Sequence, residues 1–348
     1  MVFSSNLFLF AFLPLFLVSY YLTPFKWRSP LILVFSLVFY GWFRPEFLGL
    51  LVGVVVGTYY LTLWMDNTND ETKKFRILSL CVALNLVALG YFKYWNFGVD
   101  SLNAALGAAG VSPIQYSHVI LPIGLSFYIF QAISYAVDVY RKDAPVTVDL
   151  FDFAAFITYF PQLVAGPVLR YQPLADQFRH REHSWALFAK GSFIFMVGFC
   201  QKVLIADPMN GVVDAAFLIK NPSFIDAWVG TIAYTIQLFY DFCGYSTMAI
   251  GLALMTGFVF PENFNDPYIS KSITEFWRRW HMSLSEWLRC YLYIPLGGNR
   301  LGSGRTYLNL TATMVLGGLW HGANWTFIVW GIWHGGILAL ERLWGEKM

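Results

Sequence analysis

The side chains best placed to do chemistry are six histidines: His118, His180, His183, His281, His321 and His334. Three of them directly follow a tryptophan, at Trp280-His281, Trp320-His321 and Trp333-His334. His321 is the most informative, set in Gly317-Gly318-Leu319-Trp320-His321-Gly322-Ala323-Asn324-Trp325. A polar group in an apolar run is costly, so an ionisable one there is a functional candidate by default. The neighbouring glycines would let a substrate or another helix approach closely. A neutral imidazole in such surroundings can accept a proton, which suits a general base acting on a hydroxyl group. A histidine hydrogen-bonded between helices would have the same local sequence, and the residues alone leave both readings open. His334 and His118 read as structural, and His180 and His183, in a charged loop, as solvated surface residues.

Other constellations are weaker. No H-x-x-x-H or H-E-x-x-H pair puts two ligands on one helical face, and His180-Arg181-Glu182-His183 lies in a basic loop, so no metal is expected. No G-x-S-x-G elbow and no Walker A loop occurs. The glycine-rich segment from Gly297 to Arg305 carries Arg300 and Arg305 just before a helix. Backbone amides there could hold a cofactor phosphate, with the two arginines as candidate contacts. An ordinary cytoplasmic turn fits the same residues. Asp241, inside a long apolar run, needs a partner: a catalytic histidine to orient or a neighbouring helix. Glu275 stands four residues before Arg279, the spacing of a helix-surface pair. The four cysteines, Cys81, Cys200, Cys243 and Cys290, form no C-x-x-C pair and read as small packing residues.

The elements that must position these groups are membrane helices. Of the 348 residues, 57% are hydrophobic and only 13% charged, against about 25% charged in soluble domains. Mean hydropathy is +0.53. The net charge of +2 provides no basic field, so nucleic acid is not an expected partner, whereas membrane lipid is. The continuous runs rich in Leu, Phe, Val and Gly exclude the alternating strands of a porin. Candidate spanning runs are 3–22, 29–43 (short), 46–65, 77–95, 119–140, 186–206, 226–257, 306–320 and 324–341. Lys26 and Arg28, then Lys73, Lys74 and Arg76, then Arg141 and Lys142 follow alternate helices, while 96–118 carries no Lys or Arg. That alternation predicts a periplasmic N-terminus, and the first run, lacking a basic n-region and cleavage motif, reads as a retained helix.

Residues 150–169 break the alternation, with basic residues on both flanks and Pro161, Gly166 and Pro167 inside. A re-entrant segment lining a cavity fits. Residues 272–291 predict one amphipathic helix at the interface, with Phe276, Trp280, Leu284, Trp287, Leu288 and Tyr291 in one stripe and His281 at its edge. Ser272 and Glu275 have capping-box spacing. With no repeat and no soluble segment apparent, residues 1–348 read as a single membrane domain, all-α and polytopic.

On these residues the chain resembles the membrane-bound O-acyltransferases, above all their bacterial exopolysaccharide-acetylating branch. The matching stretches are Met1 to Asn6, Leu121 to Tyr128, Ala165 to Arg170, Ser272 to His281 and Gly317 to Trp325. The Phe-Trp-Arg-Arg-Trp-His block followed by the Leu-Trp-His-Gly block is its specific signature. The resemblance implies a ring of helices around a tunnel that lets a cytoplasmic acyl donor reach an acceptor on the far side. It implies that His321 is catalytic and that His281 takes part. It implies acetyl-CoA as donor, no permanently bound cofactor, residence in the bacterial inner membrane and an exopolysaccharide of alginate or cellulose type as acceptor. The implied partners are periplasmic acetyl-transfer proteins and a polysaccharide synthase or export complex.

The chain departs from the family pattern at Cys243-Gly244-Tyr245-Ser246-Thr247, where Ser-Gly-Tyr-Ser-Asp is frequent, and at Cys290, where Asp is common. Relatives also continue into further C-terminal helices, so a fragment or a shortened form is expected. A transporter or flippase with polar groups lining a path is the alternative, without an inverted repeat to support it. A non-catalytic scaffold is another.

Overall fold

A computed structural model describes residues 1–345. Apart from short helical turns, the chain order is α1 (Phe8–Leu22), α2 (Arg28–Gly41), α3 (Pro45–Asp66), α4 (Glu71–Ala108), α5 (Leu125–Arg141), α6 (Leu150–Thr158), α7 (Phe160–Leu163), α8 (Trp185–Phe217), α9 (Phe224–Met255), α10 (Ile273–Arg279), α11 (Met282–Leu288), α12 (Ser303–His321) and α13 (Trp325–Gly345). No strand occurs among the described residues. The chain is an all-α polytopic membrane protein. Four helices, α3, α4, α8 and α9, are long and apolar enough by themselves to cross a membrane. Hydrocarbon offers no partner to a bare peptide group, so these segments satisfy their backbone internally as helices.

The residues form two compact units, one of 1–49, 149–169 and 173–264, the other of 50–148, 170–172 and 265–348. In the first, α1, α2 and α7 meet in an aromatic cluster of Phe12, Phe16, Phe39 and Phe160. The 150–169 segment is broken, as its prolines and glycines predict. Helix α6 starts on an Asp149 cap and stops at Thr158, and Tyr159 is extended before α7. The restarted backbone is satisfied by Ser36, whose Oγ accepts from the Phe160 amide at 3.1 Å. Helices α8 and α9 approach closely enough that a Cβ on Gly251 would overlap the Gly191 carbonyl and the Phe195 backbone. Small residues permit this contact because lipid supplies no hydrophobic drive between helices.

In the second unit, α4 begins on the Asp70 side chain, which accepts from the Thr72 and Lys73 amides. It runs on to Ala108, well beyond the 77–95 run. Its Gly90–Tyr94 turn is π-helical. The 119–140 run starts as helix only at Leu125, because Pro122 has no amide hydrogen and Gly124 turns left-handed at φ 73°. Helices α12 and α13 cross at Gly318, where a side chain would overlap the Phe327 carbonyl.

The single amphipathic helix expected over 272–291 is not formed. Helix α10 ends at Arg279, Trp280 is extended, His281 is left-handed at φ 43°, and α11 restarts at Met282. The Ser272 hydroxyl does cap α10, but the Glu275 carboxylate turns to the Lys271 amide rather than closing a capping box. An L-residue in this region carries about 1–3 kcal/mol of strain. It is held there by Trp280, buried against Phe276 and Tyr268, and by the Asn265 amide donating to the Arg279 carbonyl at 2.9 Å. Local periodicity contains no sign of that break.

Candidate active site

The break between α10 and α11 points His281 inward, leaving it 1% exposed. His321 is the last residue of α12, followed by extended Gly322, whose amide returns to the Gly318 carbonyl. The two imidazole centroids are 6.4 Å apart. Indoles surround them: Trp320 is 5.9 Å from the His281 ring, and Trp330 meets His321 edge-on at 5.5 Å. His321 borders a cavity of about 120 Å³, with Trp277, Leu284, Leu288, Gly317 and Trp330 among its walls. The two residues in the signature blocks are thus brought to one apolar place by a helix break and a helix end.

A helix end leaves carbonyls without partners and concentrates partial negative charge. Here α4 supplies the donors. The Lys93 ammonium donates to the Trp320 carbonyl and, at 3.0 Å, to Ser126 Oγ, and it lies 5.4 Å from the Trp320 ring centre. Tyr94 donates to the Leu319 carbonyl at 2.9 Å. Both sit in the π-helical turn, a deviation often found at functional sites. Sequence reasoning missed Lys93. Its signal was present: one lysine in an otherwise apolar spanning run.

A second polar group in the same unit surrounds the π-helical turn after α11. Tyr291 donates to the buried Asp138 carboxylate at 2.6 Å. Arg170 lies 3.8 Å from Glu286 and 3.5 Å from Cys290 Sγ, and that thiol donates to Glu286. At Cys290 the carboxylate facing Arg170 comes from Glu286, one helical turn earlier.

The other candidates separate. Arg300 and Arg305 are exposed. The amides of Gly297, Gly298 and Arg300 bond within the turn, and Asn309 Nδ2 donates to the Leu296 and Gly298 carbonyls. Those three amides are engaged within the turn, and the two arginines lie at its exposed surface. Asp241 pairs with Lys202 at 2.7 Å and does not orient a histidine. Glu275 pairs with Arg279 at 2.9 Å. The Lys271 amide and the Arg279 guanidinium together hold the Glu275 carboxyl below its usual range. His334 packs between Trp277 and Trp330, and His118 is exposed beside Tyr116. His180 is exposed, but His183 is not the solvated loop residue its charged neighbours suggest. It packs on Tyr20 and Arg28, which reach it from α1 and the start of α2.

Comparison with known proteins shows the family. The family model for membrane-bound O-acyltransferases matches residues 22–347. A protein of Azotobacter vinelandii named probable alginate O-acetylase AlgI is 59% identical over 98% of this chain and 69% of its own length. A peptidoglycan O-acetyltransferase of Helicobacter pylori is 36% identical over 94% of the chain and 68% of its own. A teichoic acid D-alanyltransferase of Streptococcus thermophilus is 29% identical over 59% of the chain. The chain spans roughly two thirds of the first two relatives. It belongs to the membrane-bound O-acyltransferase family and is an acyltransferase built into a membrane.

Proposed function

We propose that this acyltransferase moves acetyl groups from acetyl-CoA on the cytoplasmic side of the inner membrane toward hydroxyl groups of an exopolysaccharide, alginate or a related polymer such as cellulose. The observation that carries the reading is the His281–His321 pair, two imidazoles 6.4 Å apart in one unit beside an apolar cavity. In the proposed reaction neutral His321 takes the proton of an acceptor hydroxyl as its oxygen attacks the thioester carbonyl. The new C–O bond forms, the C–S bond breaks, and the proton passes to the departing thiolate. Transient acetylation of His321 itself is the covalent version of the same step. His281 would position the donor or steady charge developing on the carbonyl oxygen.

The relatives support an acyl transfer to cell-envelope polymers, since their names cover alginate, peptidoglycan and teichoic acid. The positive loops support a periplasmic N-terminus. Periplasmic acetyl-transfer proteins and a polysaccharide synthase or export complex are the partners that the family resemblance implies. The test is polysaccharide acetyl content in cells lacking the protein, complemented with wild type or His321→Ala at matched membrane abundance. Restoration by wild type alone is expected. Equal restoration by both removes the catalytic assignment.

A further inference from the structure

The loop 180–184 and the start of α2 form a second cationic group, in the unit that does not contain the histidine pair. Arg181 is only 9% exposed, and its guanidinium lies 4.3 Å from the Phe258 ring centre, with Phe25 at 5.1 Å and Phe178 at 5.8 Å. Among the described residues none of its three guanidinium nitrogens makes a well-aligned hydrogen bond; the Tyr20 hydroxyl lies nearby as a weak partner, and no carboxylate pairs with it. Asp152 acts on it electrostatically from beyond ion-pair distance and accepts from Ser29 Oγ at 2.5 Å. Arg28 lies within electrostatic reach of Arg181, stacks over Tyr20 at 4.8 Å and approaches His183 Nε2 at 3.0 Å. Burial, then Arg28, then Arg181 hold the His183 imidazolium below its ordinary range, the sign of a strongly positive neighbourhood. A buried guanidinium with only a weak partner is expensive, and a ligand that supplies a strong acceptor recovers that cost.

His183 is also the rim of a cavity of about 550 Å³ whose other walls include Leu17, Val18, Tyr21, Trp185 and Phe188. This is an apolar slot on the outer side of α1 and α8, where Val18 and Trp185 are exposed. Trp185, 86% exposed, and the nearby exposed Trp27 are residue types that settle at the headgroup level. Two arginines without a carboxylate, next to an apolar slot at that level, match an amphiphile with an anionic head and a hydrocarbon tail.

We propose that Arg28, Arg181 and His183 bind the phosphodiester of an anionic membrane phospholipid, one of whose acyl chains fills the slot between Leu17, Val18, Trp185 and Phe188. The lipid would hold α1, α2 and the 180–184 loop together, a role separate from the acyl transfer.

The test uses the full chain purified in detergent, stripped of lipid and incubated with phosphatidylglycerol or phosphatidylcholine of matched chains. Bound lipid is counted by native mass spectrometry. Wild type is expected to retain phosphatidylglycerol under conditions that remove phosphatidylcholine. Arg28→Gln and Arg181→Gln should each lower retention by roughly tenfold or more, the worth of a charge-assisted hydrogen bond. Val18→Trp, which fills the slot and keeps both arginines, should lower it as well, with an unchanged thermal midpoint showing that this variant folds. Equal retention of the two lipids, or retention unaffected by both Arg28→Gln and Val18→Trp, overturns the proposal. So does displacement of the lipid by inorganic phosphate or by coenzyme A, which would assign the site to a soluble anion.

Discussion

Two lysines sit in π-helical turns of long apolar helices, and their surroundings are opposite in kind. Lys202, in the Gln201–Ala206 turn of α8, is closed off by carboxylates, 2.5 Å from Asp207 and 2.7 Å from Asp241. Lys93, in the Gly90–Tyr94 turn of α4, has a carbonyl and a serine hydroxyl instead. Among the described residues no carboxylate pairs with Lys93 or with His321 nearby. A charge that its own helix neighbours neutralise is a structural device. His321, with no carboxylate beside it and Lys93 holding the end of its helix, borders a cavity, the arrangement expected of the proposed transfer site. The same backbone irregularity thus carries a carboxylate-neutralised charge in one unit and a carboxylate-free one near the proposed site in the other.

His321 aside, variants at these positions probe the contrast most directly. The largest effect on stability is expected for Lys202→Met, which leaves the part-exposed Asp207 and Asp241 without their shared cation and should cost about 1–2 kcal/mol. Its thermal midpoint in detergent should fall by a few degrees, and normal stability would contradict the structural reading of that network. Lys93→Met should leave the protein folded and slow acetyl transfer by about 10–100-fold, because the end of α12 loses its anchor. Rescue by Lys93→Arg, which keeps the charge and the donors, would point to positioning. An unchanged rate in Lys93→Met would make the two lysines equivalent after all. Asp241→Asn is the mildest, since Asp207 still pairs with Lys202 and the aspartate is half exposed. We expect at most about 1 kcal/mol of lost stability and full transfer activity. Loss of activity at normal abundance would bring Asp241 back toward the reaction.

Most of the helices were legible because a membrane leaves the backbone few choices, so long apolar runs must coil. The break at 159 was legible too, through Pro161 and Gly166. What periodicity concealed was the break at Trp280-His281. Nothing in the local alternation of apolar and charged residues signals a left-handed histidine, because the strain is maintained by contacts with Tyr268 and Asn265. His183 was misread for a related reason. Its neighbours Arg181 and Glu182 suggest a wet loop, whereas the arginine packs on Phe258 more than seventy positions away in the chain. Lys93 was overlooked for the opposite reason, as a lone charge inside a long apolar span. The meeting of His281 and His321 lay outside spacing altogether, since forty residues separate them in the chain. The family signature pointed to both, and only the tertiary structure sets their rings at 6.4 Å.

The most direct measurement is acetyl transfer by the purified full chain in lipid vesicles, with labelled acetyl-CoA and a soluble hydroxyl acceptor, comparing wild type with His321→Ala. Loss of a general base predicts a fall of about 10²–10⁴-fold with an unchanged thermal midpoint. Equal rates in the two proteins would place the chemistry elsewhere and leave the histidine pair a packing feature.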